Sequence, residues 1–346
     1  MIGRNRCRVL CAVIGLLVVA LPATGSAREI ADSAGRPVEV PDRISRVFAA
    51  GPPAAVLVYM LAPETMIGWP RAPREAASPF LVPSARALPE LGRLTGRGDT
   101  LGFERLMAAE PDIVVDFGSV GETYRSLADR VTAQTGIPYL LVDGRFDAIP
   151  QSLRLAGDVL GVGERGEALA EAAQAIFDRV DRTVATVPDE DRPRVYLARG
   201  REGLETGTRG SINTEIIERV GGVNVAEGLR EKGGIVQVSP EQVIAWAPDT
   251  IIALDRDFTR EVGDRPAWRP VPAVRSGRVF TAPALPFSFV DFPPSLNRLV
   301  GMIWLLHVLY PDRMPDDLGE QVGAFYTLFY QVDLSDADID RLLGGG

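Results

Sequence analysis

Hydrophobic positions along the chain form two alternating series with a long amphipathic stretch between them. In the first half, short β-type runs recur over 46–50, 65–68, 113–116 and 138–142, the first followed by a turn at Gly51-Pro52-Pro53. Between these runs the apolar spacing changes to the three-and-four period of helices, over 54–62, 101–109 and 121–135. The second half repeats the alternation, with strands expected over 194–198, 250–254 and 278–281 and helices over 211–219, 240–246 and 295–309. Strands alternating with helices predict an α/β fold with mainly parallel sheets. Between the halves, Leu169, Ile176, Val180, Val184 and Val187, with Ala172 and Ala173 filling the gap, share one helical face. The spacing predicts one helix over 164–187, a rod of about 36 Å. Pro188 and a polar loop end it. A single stiff helix between two lobes implies only a small hinge between them.

The N-terminus changes the picture of compartment. Arg4, Arg6 and Arg8 precede an apolar run over 9–21, then Pro22 and the small residues Gly25-Ser26-Ala27. The run is short of the ~20 residues a membrane span needs. Together these features describe a secretory signal peptide over 1–27. Both cysteines, Cys7 and Cys11, fall inside it, so the mature chain is expected to hold no disulfide and no thiolate metal site. No cysteine follows the run to carry a lipid. With 346 residues and a net charge of −9, the chain is acidic, which argues against a nucleic-acid partner. The expectation is an exported protein with no membrane insertion after signal cleavage, and a monomer.

An internal repeat supports two lobes. Glu104 opens a short helical pattern that stops at Pro111-Asp112 before a strand, and Glu241 does the same before Pro248-Asp249. Other motifs carry less. Gly161-Val-Gly-Glu-Arg-Gly166 fits G-x-G-x-x-G, but a helix rather than a strand precedes it, so its glycines are read as helix punctuation. His307 is the sole histidine and sits in an apolar helical pattern, which suits packing and not a His-rich metal site. Ser211, Ser239, Ser288 and Ser295 lie in no nucleophile elbow, and no histidine partners them. No convergent acid, base and nucleophile set emerges, so an exported α/β enzyme is the poorer reading.

The signal peptide, the paired Glu…Pro-Asp units and the long central helix resemble the substrate-binding proteins of ABC importers. The branch is the one with a rigid interlobe helix, which carries iron complexes, vitamin B12, haem and some metal or oxyanion species. Gly221-Gly222-Val-Asn224, Val238-Ser-Pro-Glu241 and the stretch from Trp268 to Val279 sit in that family's usual order. Asp291-Phe-Pro-Pro-Ser295-Leu-Asn297-Arg298 is similar to an element of an iron-uptake subset. The resemblance implies two Rossmann-like lobes, 28–160 and 191–346, joined by a connecting helix within 161–190, with the ligand cleft between the lobes. It also implies delivery to importer membrane subunits, with Glu104 and Glu241 docking onto their arginines.

In parallel α/β sheets ligands meet the loops at the carboxyl ends of strands. Those loops offer Trp69 and Arg71, Tyr124 after the third strand, then Arg199, Arg201, Arg256, Phe287 and Phe289. Arginine presents a planar donor fork to carboxylates and phosphate-like oxyanions. Aromatic rings cover flat apolar faces. The set suits an anionic metal chelate, above all a ferric siderophore, with corrinoid, haem and a molybdate-like oxyanion as alternatives. No covalently bound cofactor and no metal held directly by the protein are expected.

Overall fold

A computed structural model describes residues 27–96, 101–229 and 234–344. All of the signal-peptide segment except Ala27 lies outside the described residues. An antiparallel hairpin comes first, β1 (Ala27–Ala31) and β2 (Pro37–Pro41), turned at Asp32, whose carboxylate accepts the backbone N–H groups of Ala34 and Arg36 at 2.9 Å. The first lobe is built on a parallel sheet in the order β3 (Val47–Ala49), β4 (Ile113–Gly118), β5 (Tyr139–Asp143). Helices cover both of its faces, so nearly every strand residue is buried, as the continuous apolar runs require.

The segment 65–68 does not become a strand. It makes a single bridge, Met66 to Val47, after a 3₁₀ turn over Pro63–Thr65. The next backbone hydrogen bonds go elsewhere: Trp69 donates to the Pro89 carbonyl at 2.8 Å and accepts from Leu91 at 2.8 Å. The chain is therefore drawn off the sheet edge.

The second lobe carries β6 (Arg194–Ala198), β7 (Glu205–Gly207), β8 (Val223–Asn224), β9 (Ile235–Gln237), β10 (Thr250–Ala253) and β11 (Val279–Thr281). Four of them form a parallel sheet in the order β11-β10-β6-β8, and β7 pairs with β9 as an antiparallel ribbon.

One helix, Gly163–Val184, joins the lobes. Gly161, at φ 75, ends the helix before it. Gly166 crosses Gly157 so closely that a Cβ on Gly157 would lie 2.8 Å from the Gly166 Cα. Those contacts account for two glycines of the G-x-G-x-x-G string without a nucleotide. The helix Arg298–Leu309 is almost wholly buried and packs on the connecting helix. The last segments, Leu318–Phe325, a π-turn Tyr326–Tyr330 and Asp336–Leu343, return to the first half. There the Tyr59 hydroxyl donates to the Tyr330 carbonyl at 2.9 Å, and Arg165 donates to the carbonyls of Met60 at 2.7 Å and Leu328 at 3.0 Å. The architecture is thus α/β, two lobes with mainly parallel sheets joined by one long helix. Among the described residues no helix is long and apolar enough to cross a membrane.

Candidate functional site

Loops at the carboxyl ends of the two sheets meet between the lobes. The Trp69 ring, from the first lobe, lies 5.8 Å from the Phe287 ring, which follows β11. A second link between the lobes is Arg298, fully buried. Its guanidinium donates to the Gly144 carbonyl at the end of β5 (2.9 Å), and to the Ile212 carbonyl (3.0 Å) and Glu215 carboxylate (2.7 Å) of the second lobe. It also stacks 4.2 Å from the Phe146 ring centroid. Burial lowers its pKa and Glu215 opposes that shift, which is how a buried cation is held. The adjacent Asn297 donates to the carbonyls of Phe287 and Ser288 and accepts from the Tyr330 hydroxyl at 2.6 Å. These two residues of the Asn297-Arg298 pair hold the cleft floor together. Sequence reasoning found the motif but assigned neither residue a role, because their partners lie far along the chain.

The arginines singled out from sequence separate into two groups. Arg199, just after β6, is nearly buried and forms an ion pair with the fully buried Asp291. Asp291 also accepts from the Asn213 amide at 2.7 Å, and Ser211 donates to the Asn213 side-chain oxygen at 3.1 Å. The result is a fixed polar patch on the second lobe. Arg71, Arg201 and Arg256 are exposed. Arg201 reaches Glu261 only at 3.9 Å. The aromatics behave differently from expectation. Trp69 is 1% exposed, wedged between Tyr59 and Phe287 with its indole N–H donated to the Ala85 carbonyl at 2.8 Å. Phe289 is fully buried, because the helix Arg298–Leu309 lies on its backbone at Gly301. These two rings build the cleft wall from behind and do not line it. Phe287 is half-buried, and the one strongly exposed aromatic among the described residues is Phe292, 71% exposed and at φ 64.

On the first lobe, Tyr124 stands at the start of the helix Glu122–Thr135. With Leu94, Thr95, Phe103, Leu127 and Arg130 it lines a cavity of about 330 Å³. Behind Thr95 lies Asp116 of β4, accepting from the Tyr139 hydroxyl at 2.9 Å and the Thr95 hydroxyl at 3.2 Å. Burial pushes the Asp116 carboxyl up to about 6, the two hydroxyls only partly opposing it. Burial, and then the charge on Asp116, also raise the Tyr124 phenol, so it stays a neutral hydroxyl at ordinary pH. A carboxyl raised in the folded state favours folding at low pH, with the full benefit below ~4, lost as pH rises through about 6. The size is of order 3 kcal/mol. Denaturation of Asp116→Asn and the parent across pH 4–7 should therefore show the parent losing ground to the variant as pH rises. Parallel curves would mean that the carboxyl titrates normally.

His307 is half-buried against Gln321, 3.1 Å away, and burial followed by Arg179 lowers its pKa. Ser239 caps the helix Pro240–Trp246 through a capping box with Gln242. Among the described residues no group of three or more His, Cys, Asp or Glu side chains is placed to hold a metal ion.

The repeat is structural as well as sequential. Glu104 is the second residue of the helix Phe103–Ala108 and Glu241 the second of Pro240–Trp246. Each helix ends on a residue of positive φ before the proline, Glu110 at 45 and Ala247 at 47. Asp112 then accepts from the Arg46 N–H at 2.9 Å and Asp249 from the Arg194 N–H at 2.8 Å, clasping the start of β3 and β6. Both glutamates are exposed and make no ion pair with a described residue. The Glu241 carboxyl is held low by its own backbone N–H and by Ser239.

Two α/β lobes on one long helix, with strand-end loops facing each other, define a two-lobed binding protein. The chain belongs to the periplasmic binding protein family, whose sequence model matches residues 60–285, in the branch that includes iron-complex and vitamin B12 binders. An ABC transporter solute-binding protein from Sulfurospirillum deleyianum superimposes with a TM-score of 0.83 at 30% identity, over 92% of this chain and 99% of that one. The molybdate-binding protein MolA of Haemophilus influenzae is 27% identical over 88% of this chain and 91% of its own. The vitamin B12-binding protein of Salmonella typhimurium is 30% identical, over 44% of this chain and 54% of its own.

Proposed function

We propose that this protein captures a small metal oxyanion of the molybdate type in the periplasm and delivers it to the membrane subunits of an ABC importer, performing no catalysis itself. The observation that supports this ligand is the donor chemistry that each lobe carries after its strand ends. The second lobe offers a nearly buried arginine paired with Asp291, and the first lobe offers the neutral hydroxyl of Tyr124, which lines a first-lobe cavity of about 330 Å³. Charge-assisted and hydroxyl donors of that kind suit a compact anion. Trp69 and Phe289, two of the aromatics that could offer a flat chelate a face, are turned into the protein. The likeness to MolA over nearly the whole chain supports the same reading. The ferric siderophore expected from sequence is the second reading, favoured by exposed Phe292 beside the cleft.

Thermal melting and tryptophan fluorescence should separate them. Molybdate or tungstate should raise the melting temperature, as any ligand that binds only the folded state does, while sulfate, cyanocobalamin and haemin leave it unchanged. Tyr124→Phe removes one hydroxyl and should weaken molybdate binding about fivefold to tenfold. No response to either oxyanion, with a clear response to a ferric siderophore, would replace the first reading by the second.

A further inference from the structure

We infer that Met107, one helical turn after Glu104, is an apolar anchor that seats this protein in a pocket of the importer's membrane subunit, next to the cation that takes Glu104. The inference rests on the reading that the protein docks through Glu104 and Glu241. Among the described residues few large apolar side chains are strongly exposed, and Met107 is one, at 44%. Residues three apart share a helix face, so Met107 stands beside the Glu104 carboxylate. The same place in the repeat, three residues after Glu241, holds Ile244, which is half-buried. Leu106 and Val243, between each pair, are fully buried and pin the helices to their lobes. Each lobe thus presents a carboxylate and an apolar group in one orientation, with the larger apolar surface on the first lobe.

Charge complementarity sets the partner's chemistry. Both glutamates are exposed and make no ion pair with a described residue, which suits a facing surface that carries cations. Exposed charge pairs are screened within ~8 Å at physiological salt and act mainly on encounter. A lasting complex needs a desolvated apolar centre, and methionine is among the residues enriched there. Met107 is placed to supply it, with Ile244 as the weaker counterpart.

The test uses the exported protein, with and without molybdate, and its importer in lipid nanodiscs, with the dissociation constant measured from ~50 to ~500 mM NaCl. Met107→Ser should weaken docking about tenfold at every salt concentration, with the slope against salt and the ligand affinity unchanged. Met107→Leu should restore it. Glu104→Ala with Glu241→Ala should flatten the salt slope. Unchanged docking by Met107→Ser at all salt concentrations overturns the anchor while leaving the glutamates intact as docking groups. A salt slope that persists in the double glutamate variant overturns the docking reading, and the anchor with it.

Discussion

Replacing Arg298 with methionine should cost the fold about 3–5 kcal/mol and loosen the two lobes. The side chain is fully buried, and its guanidinium serves carbonyls and a carboxylate on both sides of the cleft. Methionine matches much of the volume but donates nothing. The carbonyls of Gly144 and Ile212 would lose a donor, Glu215 would lose its cation, and the Phe146 ring its stacking partner. Arg298 ties the end of β5 to the loop before Glu215, so part of the loss should appear as freedom between lobes. Solution scattering of the parent should give nearly the same radius of gyration with and without ligand, because one long helix and this buried cation fix the angle. The variant should show a clear ligand-dependent compaction. Equal behaviour of the two proteins would mean that the helix Gly163–Val184 alone sets the geometry.

Gly301→Ala should be nearly as damaging, although it adds a single methyl. A Cβ built there overlaps the carbonyl of Phe289 and approaches Ile216 at 3.1 Å. The obstacle is backbone, which cannot rotate aside as a side chain can. The helix Arg298–Leu309 would have to lift from the loop that carries Phe287 and Asp291, and both lobes pack on that helix. A loss above ~3 kcal/mol is expected, at the upper end of overpacking. For a chain of this size that is a fall of roughly 5–10 °C in melting temperature. Gly263→Ala, where a Cβ meets nothing within 4 Å, is the control and should melt close to the parent. Equal melting of the two variants would show that the contact at Gly301 yields.

Periodicity placed the connecting helix and six of the strands, but not 65–68, which was expected as a strand and makes only one bridge. The connecting helix, expected over 164–187, runs Gly163–Val184, and β3, β4, β5, β6, β10 and β11 stand where apolar runs predicted strands. Each of these is bounded by residues that act within a few positions, such as Gly161 in the left-handed region. The Glu…Pro-Asp repeat was legible for the same reason: its helix, its turn and its aspartate clasp are all local. The hairpin β1–β2, the ribbon β7–β9 and the C-terminal segments were not foreseen. Their strands are short, and the partners of the last helices lie on the first half, as Tyr330 shows against Tyr59.

Residue type and order along the chain settled which side chains stand near strand ends, and so brought Tyr124, Arg199 and Phe287 to notice. They could not settle which way each one turns. Trp69 and Phe289 look from sequence like ligand-facing aromatics, yet burial of their large apolar surface against the neighbouring elements is more favourable than exposure to water. Arg199 looks like a free cation in a loop until the fold brings Asp291 to it. Arg298 reads as one more arginine at a helix start. Only the folding of Gly144 and Glu215 onto it makes it the bond between the lobes. The sequence alone determined most of the elements of the two main sheets, the connecting helix and the repeat, because those depend on neighbours along the chain, and the order of its motifs carried the family resemblance. The tertiary structure decided the site, because burial and ion pairing depend on neighbours in space.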